Sequence, residues 1–267
     1  MPRFRKPLPA ELPEAESIDI AVLLQSLRSG AIDMVCVLGP TASGKTRYAV
    51  GLARSFAGMG MKAEIISADS RQVYRGMDIG TGKDLSEYGE IPYHLIDIRE
   101  PGEQYNVFEF KSDFAKAYDD IRARGAVPVL CGGTGLYINS VVSGYDFRST
   151  KPLSLPAAAP KAPRTYFIGT LVSREVRNAR IDARLAARMD EGMADEIRGL
   201  LQRGVPASVL LGYGLEYKYV TQYVLGEISK DEMMVRLSTA IHQFAKRQMT
   251  WFRGMERSGI VIHWTEV

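Results

Sequence analysis

What this chain has little of narrows it first. Its two cysteines, Cys36 and Cys131, both fall inside apolar strand-like runs, which argues against a disulfide framework and fits a reducing compartment. No zinc-type spacing of cysteine and histidine occurs. No apolar stretch approaches the length of a membrane span, and residues 1–16 carry four prolines among mixed charges instead of the apolar centre of a signal peptide. A cytoplasmic protein with no membrane attachment is the expectation. Charge of one sign is scarce too. With 34 Lys and Arg against 31 Asp and Glu, the net +3 is much less than a dedicated nucleic-acid binder carries. No internal repeat appears.

What is present is one organising stretch. The apolar run 33–38 feeds Gly39-Pro40-Thr41-Ala42-Ser43-Gly44-Lys45-Thr46 and then a helix-forming segment from Thr46 to about Phe56. Gly, four residues, then Gly-Lys-Thr is the spacing of a phosphate-binding loop. The glycines let successive N–H groups turn inward around phosphate oxygens, the lysine reaches across them, and the threonine hydroxyl can ligate Mg²⁺. The helix that follows points its positive end at the same anion. The competing reading, a glycine turn without a ligand, is opposed by the strand before and the helix after.

With 46% hydrophobic residues the chain can build one sizeable core and a smaller attached lobe. Residues 1–16 predict a flexible arm. Ser17 reads as a helix cap, with Ile18, Ala21, Val22, Leu24 and Leu27 at helical spacing before Gly30. Residues 63–67 predict a strand, and Asp69-Ser70-Arg71-Gln72 follows at its end, where open α/β sheets keep their ligands. Residues 94–98 predict a third strand. A helix from Asn106 carries Phe110, Phe114, Ala117, Tyr118 and Ile121 on one side. A strand over 127–131 ends in a second glycine loop, Gly132-Gly133-Thr134-Gly135. Residues 148–163, rich in proline, alanine, serine and lysine, read as a linker. A strand over 165–171 and helices over 173–191, 194–203 and 214–225 follow. A long helix opens with the capping box Ser229 to Glu232, and its stripe is Met234, Leu237, Ile241, Phe244, Gln248 and Phe252. Residues 260–264 predict an edge strand. Strands alternating with helices predict an α/β fold of P-loop type: a mainly parallel sheet with helices on both faces and a helical C-terminal part. The organisation expected is an arm 1–16, a P-loop core 17–147, a linker 148–163 and the C-terminal part of the core, 164–267.

Several groups beyond the loop carry chemistry. Asp69, in a polar loop, suits a base facing an acceptor. Asp97 stands open between a metal-linked role and a structural cap. The glycine loop 132–135 reads as one wall of a channel or as a tight turn. Arg177, Arg180, Arg184 and Arg188 share one helix face. They read as a lid that clamps a diphosphate or, the better reading for any single one, as a solvated face paired with Asp182 and Glu191. Lys246, Arg247, Arg253 and Arg257 beside Trp251 form a second basic surface, suited to nucleic-acid phosphates or to plain solvent. Tyr213, Tyr217, Tyr219 and Tyr223 read as packing residues with surface hydroxyls.

Taken together, the phosphate loop, Ser67-Ala68-Asp69-Ser70-Arg71-Gln72-Val73-Tyr74, Gly76-Met77-Asp78-Ile79-Gly80-Thr81, His94-Leu95-Ile96-Asp97, Gly132-Gly133-Thr134-Gly135-Leu136-Tyr137, and Ala245-Lys246-Arg247-Gln248 with Thr250-Trp251-Phe252 resemble the tRNA dimethylallyltransferases and the related adenylate isopentenyltransferases. The resemblance implies transfer of a dimethylallyl group from dimethylallyl diphosphate to the exocyclic N6 of an adenine. It implies that Asp69 is the base, that Thr134 lies near the reacting adenine, and that Arg180 and Lys45 stabilise the departing diphosphate. It further implies that Gly39, Thr41, Ala42, Ser43, Gly44, Lys45 and Thr46 hold the diphosphate, with Mg²⁺ on Thr46. Ser70, Arg71, Gln72, Gly133 and Gly135 would meet the acceptor. A monomer is expected.

The chain departs from the tRNA enzymes of that family at two places. Their helical insertion that grips the anticodon arm is replaced by the short stretch 148–163. Their arginines flanking a Gly-Tyr pair are missing from Val209-Leu210-Leu211-Gly212-Tyr213-Gly214. Losing phosphate contacts lowers nucleic-acid affinity. The acceptor implied by the family is a tRNA adenosine next to the anticodon, and the alternative is a free adenine nucleotide, AMP, ADP or ATP. A P-loop small-molecule kinase or NTPase is a third reading. A degenerate member that only binds RNA is opposed by the intact Lys45, Thr46 and Asp69.

Overall fold

The computed structural model describes residues 12–143 and 162–267, so the arm up to residue 11 and the linker up to residue 161 lie outside the described residues. Six strands, β1 (Met34–Leu38), β2 (Ala63–Ser67), β3 (Tyr93–His94), β4 (Val127–Gly132), β5 (Thr165–Leu171) and β6 (Ile262–Glu266), form one sheet. Their order is β3-β2-β4-β1-β5-β6 and every pairing is parallel. The central strands β1, β2 and β4 are buried along their whole length, as near-continuous apolar runs in a sheet covered on both faces must be.

Helices α1 (Ile20–Arg28) and α2 (Lys45–Gly58) cover one face, against Val35, Val37, Ile65, Val129 and Cys131. Helices α3 (Val107–Ala123) and α4 (Gly135–Val142) cover the other, with the C-terminal half of the long helix Lys230–Arg257, against Met34, Cys36, Leu38, Ile66 and Leu130. The alternation of side chains along a strand therefore sends the two free cysteines into opposite cores. A third core joins α5 (Arg174–Asp190), α6 (Met193–Gln202), α7 (Ala207–Leu210), α8 (Leu215–Val224) and the first half of α9 (Lys230–Arg257) to Val73, Tyr74 and Met77 from the segment after β2. Among the described residues no helix is long and apolar enough to cross a membrane.

Several boundaries differ from the sequence expectation. β3 stops at His94 because Leu95 and Asp97 take positive φ, 63° and 55°, which breaks an extended ladder. Asp19, not Ser17, caps α1: its carboxylate accepts from the N–H groups of Ala21 and Val22, and the buried face is Leu23, Leu24 and Leu27. α3 begins as expected, with a reciprocal capping box between Asn106 and Glu109. In α9 the Ser229 hydroxyl accepts from Glu232 N–H at 3.2 Å, while the Glu232 carboxylate lies on Arg236 at 2.5 Å. Its buried stripe runs through Met233, Leu237, Ile241, Ala245, Gln248, Phe252 and Met255, with Phe244 exposed. The short α7 is not signalled by the sequence.

Candidate functional site

The phosphate loop is shaped by close approach and left-handed backbone. A Cβ at Gly39 would lie 2.2 Å from Thr170 Oγ1 on β5. That hydroxyl is itself joined to the Ser43 hydroxyl at 2.7 Å, in the interior. Ala42 and Gly44 take φ of 61° and 82°, wrapping the loop over the start of α2. Lys45 Nζ reaches back to within 3.5 Å of Pro40 O. Burial lowers the Lys45 pKa, and the nearby Cys131 and Asp69 oppose that shift. The loop is also tied to α9: Thr41 N–H donates to Gln248 Oε1 at 2.8 Å, and Gln248 Nε2 donates to Gly133 O at 3.0 Å.

A cleft of about 540 Å³ opens over this loop at the carboxyl ends of the strands. Thr41, Ala42, Gly44, Lys45 and Thr46 line it from the loop, and Asp69, Ser70, Arg71 and Gln72 line it from the end of β2. Asp69 Oδ1 accepts from the N–H groups of Arg71 at 2.8 Å and Gln72 at 3.4 Å, which fixes the orientation of its carboxylate. Thr134 Oγ1 accepts from Ser70 N–H at 3.3 Å, and Thr134 N–H donates to Ala68 O at 3.2 Å. The second glycine loop is thereby bound to the Asp69 loop.

Its glycines answer to specific neighbours. A Cβ would lie 2.3 Å from Ala68 O at Gly132, 2.5 Å from Gln248 Nε2 at Gly133 and 2.2 Å from the Trp251 ring at Gly135. Gly132 and Thr134 line the cleft, whereas Gly133 and Gly135 face side chains of α9. Gly39 and Ser43 sit behind the loop, against Thr170.

The arginine row divides. Arg180, Arg184 and Arg188 line the cleft, while Arg177 is buried elsewhere in the helical part. Arg184 Nη2 lies 2.5 Å from Thr41 Oγ1, and burial, with Arg188 as the next cause, brings its pKa down to about 10. Arg180 Nη2 lies 3.4 Å from Val267 O. Asp182 does not pair with the row. It accepts from Ser238 Oγ at 2.7 Å and lies 3.1 Å from His242 Nε2. The solvated-face reading therefore fails for Arg184 and Arg188. Across from them stands Glu216, whose pKa burial raises against the pull of both guanidinium groups.

Asp97 pairs with Lys83, which is 2% exposed and also donates to Tyr74 O at 2.5 Å and Asp78 Oδ1 at 2.7 Å. Lys83, with all three protons taken, anchors the segment 76–84 that forms a further wall of the cleft. A second anchor comes from the far end of the chain. The Glu196 carboxylate on α6 accepts from the N–H groups of Asp78 and Ile79 at 2.7 Å each, from Gly80 at 3.1 Å and from the Tyr217 hydroxyl at 2.6 Å. Sequence inspection gives no role to Lys83 or Glu196 and reads Gln248 only as part of a helix stripe and a family motif, because partners 118 residues away for Glu196 and 207 for Gln248, and the burial of Lys83, leave no local pattern. Tyr213 and Tyr217 are buried with bonded hydroxyls, not surface ones: Tyr213 OH accepts from Gly102 N–H at 2.6 Å. Of the second basic surface, Lys246 and Arg247 are exposed and Arg253 pairs with Glu256 at 2.7 Å.

Comparison with known proteins decides the family. A family model described as IPP transferase matches residues 72–162 and 148–255. "tRNA dimethylallyltransferase 2" of Bacteroides fragilis is 44% identical over 288 residues, covering 88% of this chain and 92% of the relative. The chain belongs to the tRNA dimethylallyltransferase (IPP transferase) family. The Porphyromonas gingivalis relative of the same name is 46% identical over 287 residues, covering 87% and 93%. In fold, the full-length tRNA isopentenylpyrophosphate transferase of Bacillus halodurans matches with a TM-score of 0.75 at 29% identity, covering 88% of this chain and 89% of that one. Family membership displaces the small-molecule kinase reading. Its two matched segments meet at 148–162, the stretch read as a shortened insertion. The alignment to the Bacteroides relative runs to 288 positions although 88% of a 267-residue chain enters it, so about fifty positions of that relative stand opposite gaps here.

Proposed function

We propose that this chain transfers a dimethylallyl group from dimethylallyl diphosphate to the exocyclic N6 of an adenosine in tRNA, next to the anticodon. The observation that carries the reading is the single cleft into which the phosphate loop and the Asp69–Thr134 wall both open. The N6 lone pair is delocalised into the purine ring, so attack needs a base at that nitrogen and a carbon close to an allyl cation. Asp69, oriented by two backbone N–H groups, takes the N6 proton as the N–C bond forms and the C–O bond to diphosphate breaks. Thr134, tied to Ser70, stands on the same wall to orient the adenine, with Ser70, Arg71 and Gln72 beside it. Lys45, Arg180 and the amides at the start of α2 receive the charge on the leaving diphosphate.

The residues fit a divalent cation held chiefly by substrate. Thr46 and the carboxylates of Asp69, Asp84 and Glu87 offer the cleft hard oxygen donors. Among the described residues no group of three or more His, Cys, Asp or Glu is arranged to enclose a metal. Mg²⁺ on the Thr46 hydroxyl and the diphosphate would neutralise phosphate charge. The same reading makes the protein a cytoplasmic monomer.

The shortness of the stretch 148–163 favours a second acceptor, a free adenine nucleotide, because the family resemblance assigns to that place the insertion that grips the anticodon arm. Labelled dimethylallyl diphosphate with Mg²⁺, offered unmodified tRNA and AMP, ADP and ATP in parallel, tests both. Label in tRNA supports the first reading, label in nucleotides alone supports the second, and no label in any acceptor overturns the proposal.

A further inference from the structure

Arg188 is not used by the chemistry above, yet it lines the same cleft and is 6% exposed. Its Nη2 is buried without a hydrogen-bond partner, and the nearest carboxylate oxygen, Asp84 Oδ2, lies 3.8 Å away. A buried guanidinium nitrogen with nothing to donate to is costly in a protein that brings no anion to it. The cost is compounded by Arg184, one helical turn earlier on the same face, whose own guanidinium already touches Thr41 of the phosphate loop. The Arg188 guanidinium is also held in place: it packs directly on Gly82, where a Cβ would lie 1.8 Å from its Nη2. Gly82 O in turn accepts from Gln72 Nε2 at 3.1 Å. The group is therefore fixed between the arginine row and the Asp69 loop, and Glu216 and Asp84 provide the negative charge around it.

We propose that Arg188, together with Arg184, is a second phosphate clamp of the cleft, and that Asp84 is the weak resident counter-charge that a phosphate group displaces. The inference rests on the prenyltransferase reading for its substrate but not for its test. The phosphate comes either with the donor, as the outer group of the diphosphate, or with the acceptor, as a nucleotide phosphate. The position of Arg184 on Thr41 points to the donor.

Binding of inorganic diphosphate to the full chain by calorimetry tests the clamp without any turnover. Losing one charge-assisted clamp corresponds to about ten- to hundred-fold in affinity, which is the loss expected for Arg188→Gln. Arg188→Lys keeps the charge without the fork and is expected to fall between the two. Asp84→Asn removes the competing carboxylate and is expected to tighten diphosphate, the opposite sign from any loss caused by misfolding. If Arg188→Gln binds diphosphate like the parent but raises KM for tRNA or nucleotide alone, the clamped phosphate belongs to the acceptor. Unchanged diphosphate affinity together with unchanged KM for both substrates overturns the proposal. If Arg188→Gln does not fold, Arg188→Lys and Asp84→Asn decide, and equal diphosphate affinity in both overturns it. Absence of prenyl transfer in the parent chain with the diphosphate pattern intact would instead sink the catalytic reading and leave the clamp standing.

Discussion

The two ends of the cleft are built by different means. The phosphate-loop end is shaped chiefly by backbone, left-handed at Ala42 and Gly44 and closely packed where the bare Cα of Gly39 meets Thr170, with Gln248 and Arg184 tying it to distant helices. The opposite wall, residues 76–84, is held by side chains from far away in sequence: Glu196 on its amides, Tyr217 against Gly80, and Arg188 against Gly82. Backbone geometry of the first kind tolerates almost no substitution, whereas a wall tethered by side chains can be retuned one contact at a time. On the proposed function, the end that would meet an invariant group, the diphosphate, is the rigid one. The end that can be adjusted is where a choice of acceptor has room to evolve.

The largest effect expected is chemical. Asp69→Ala should lower kcat by about 10²–10⁴ with little change in melting temperature, since the bonds its carboxylate makes among the described residues are to N–H groups of its own loop. Full transfer activity in that variant would remove Asp69 from the mechanism. At the tethered wall the largest effect should be on stability. Lys83→Met leaves Asp97, Asp78 and the Tyr74 carbonyl without their shared donor, and because both carboxylates keep contact with solvent, denaturant unfolding should show a loss of about 1–3 kcal/mol. A loss below about 1 kcal/mol would mean the wall does not depend on that cation.

A contact tying the phosphate loop to the second glycine loop comes next. Gln248→Ala removes the bridge from Thr41 N–H to Gly133 O and leaves two polar groups to find water. Destabilisation of about 1–3 kcal/mol is expected, with kcat/KM falling because the phosphate loop loses its tie to α9. An unchanged kcat/KM would show that the loop keeps its shape from backbone alone.

The same contrast explains how far the sequence could be read. The phosphate loop, the Asp69 segment at the end of β2 and the strand–helix alternation are local patterns, so the parallel sheet and the position of the cleft follow from them. The family motifs also carry the identity of the enzyme. What escapes is long-range pairing. Asp97 is open in sequence because its partner Lys83 gives no sign of being buried. The arginine row reads as a solvated face because nothing local shows that Arg184 reaches Thr41, 143 residues away. Gly133 and Gly135 read as acceptor contacts because a glycine loop looks the same whether it faces a ligand or, as here, Gln248 and Trp251. β3 is overread for a different reason: the apolar run 94–98 has strand composition, but two left-handed residues turn it away.

The smallest effect lies at the amino end of the sheet, away from the cleft, and it separates fold stability from site chemistry. Glu64 near the start of β2 is buried, and hydrogen bonding to Arg124 at 2.8 and 3.1 Å holds its carboxyl below the usual 4.5 against the opposing effect of burial, with His94 adding to the lowering at 2.7 Å. A carboxyl lowered on folding contributes stability that is fully present above its unfolded value and is lost as the pH falls through the folded one. Unfolding free energy should therefore decline as the pH drops below 4.5, and Glu64→Gln should flatten that decline. Because the Arg124 side chain is 50% exposed, solvent screens the pair and the contribution at neutral pH should stay within about 1 kcal/mol. Transfer activity at neutral pH should not change in the same variant, since none of the three residues lines the cleft. A variant that altered KM for either substrate would mean that the amino end of β2 communicates with the Asp69 loop through the strand, and the two-part division of the cleft would have to be redrawn around β2.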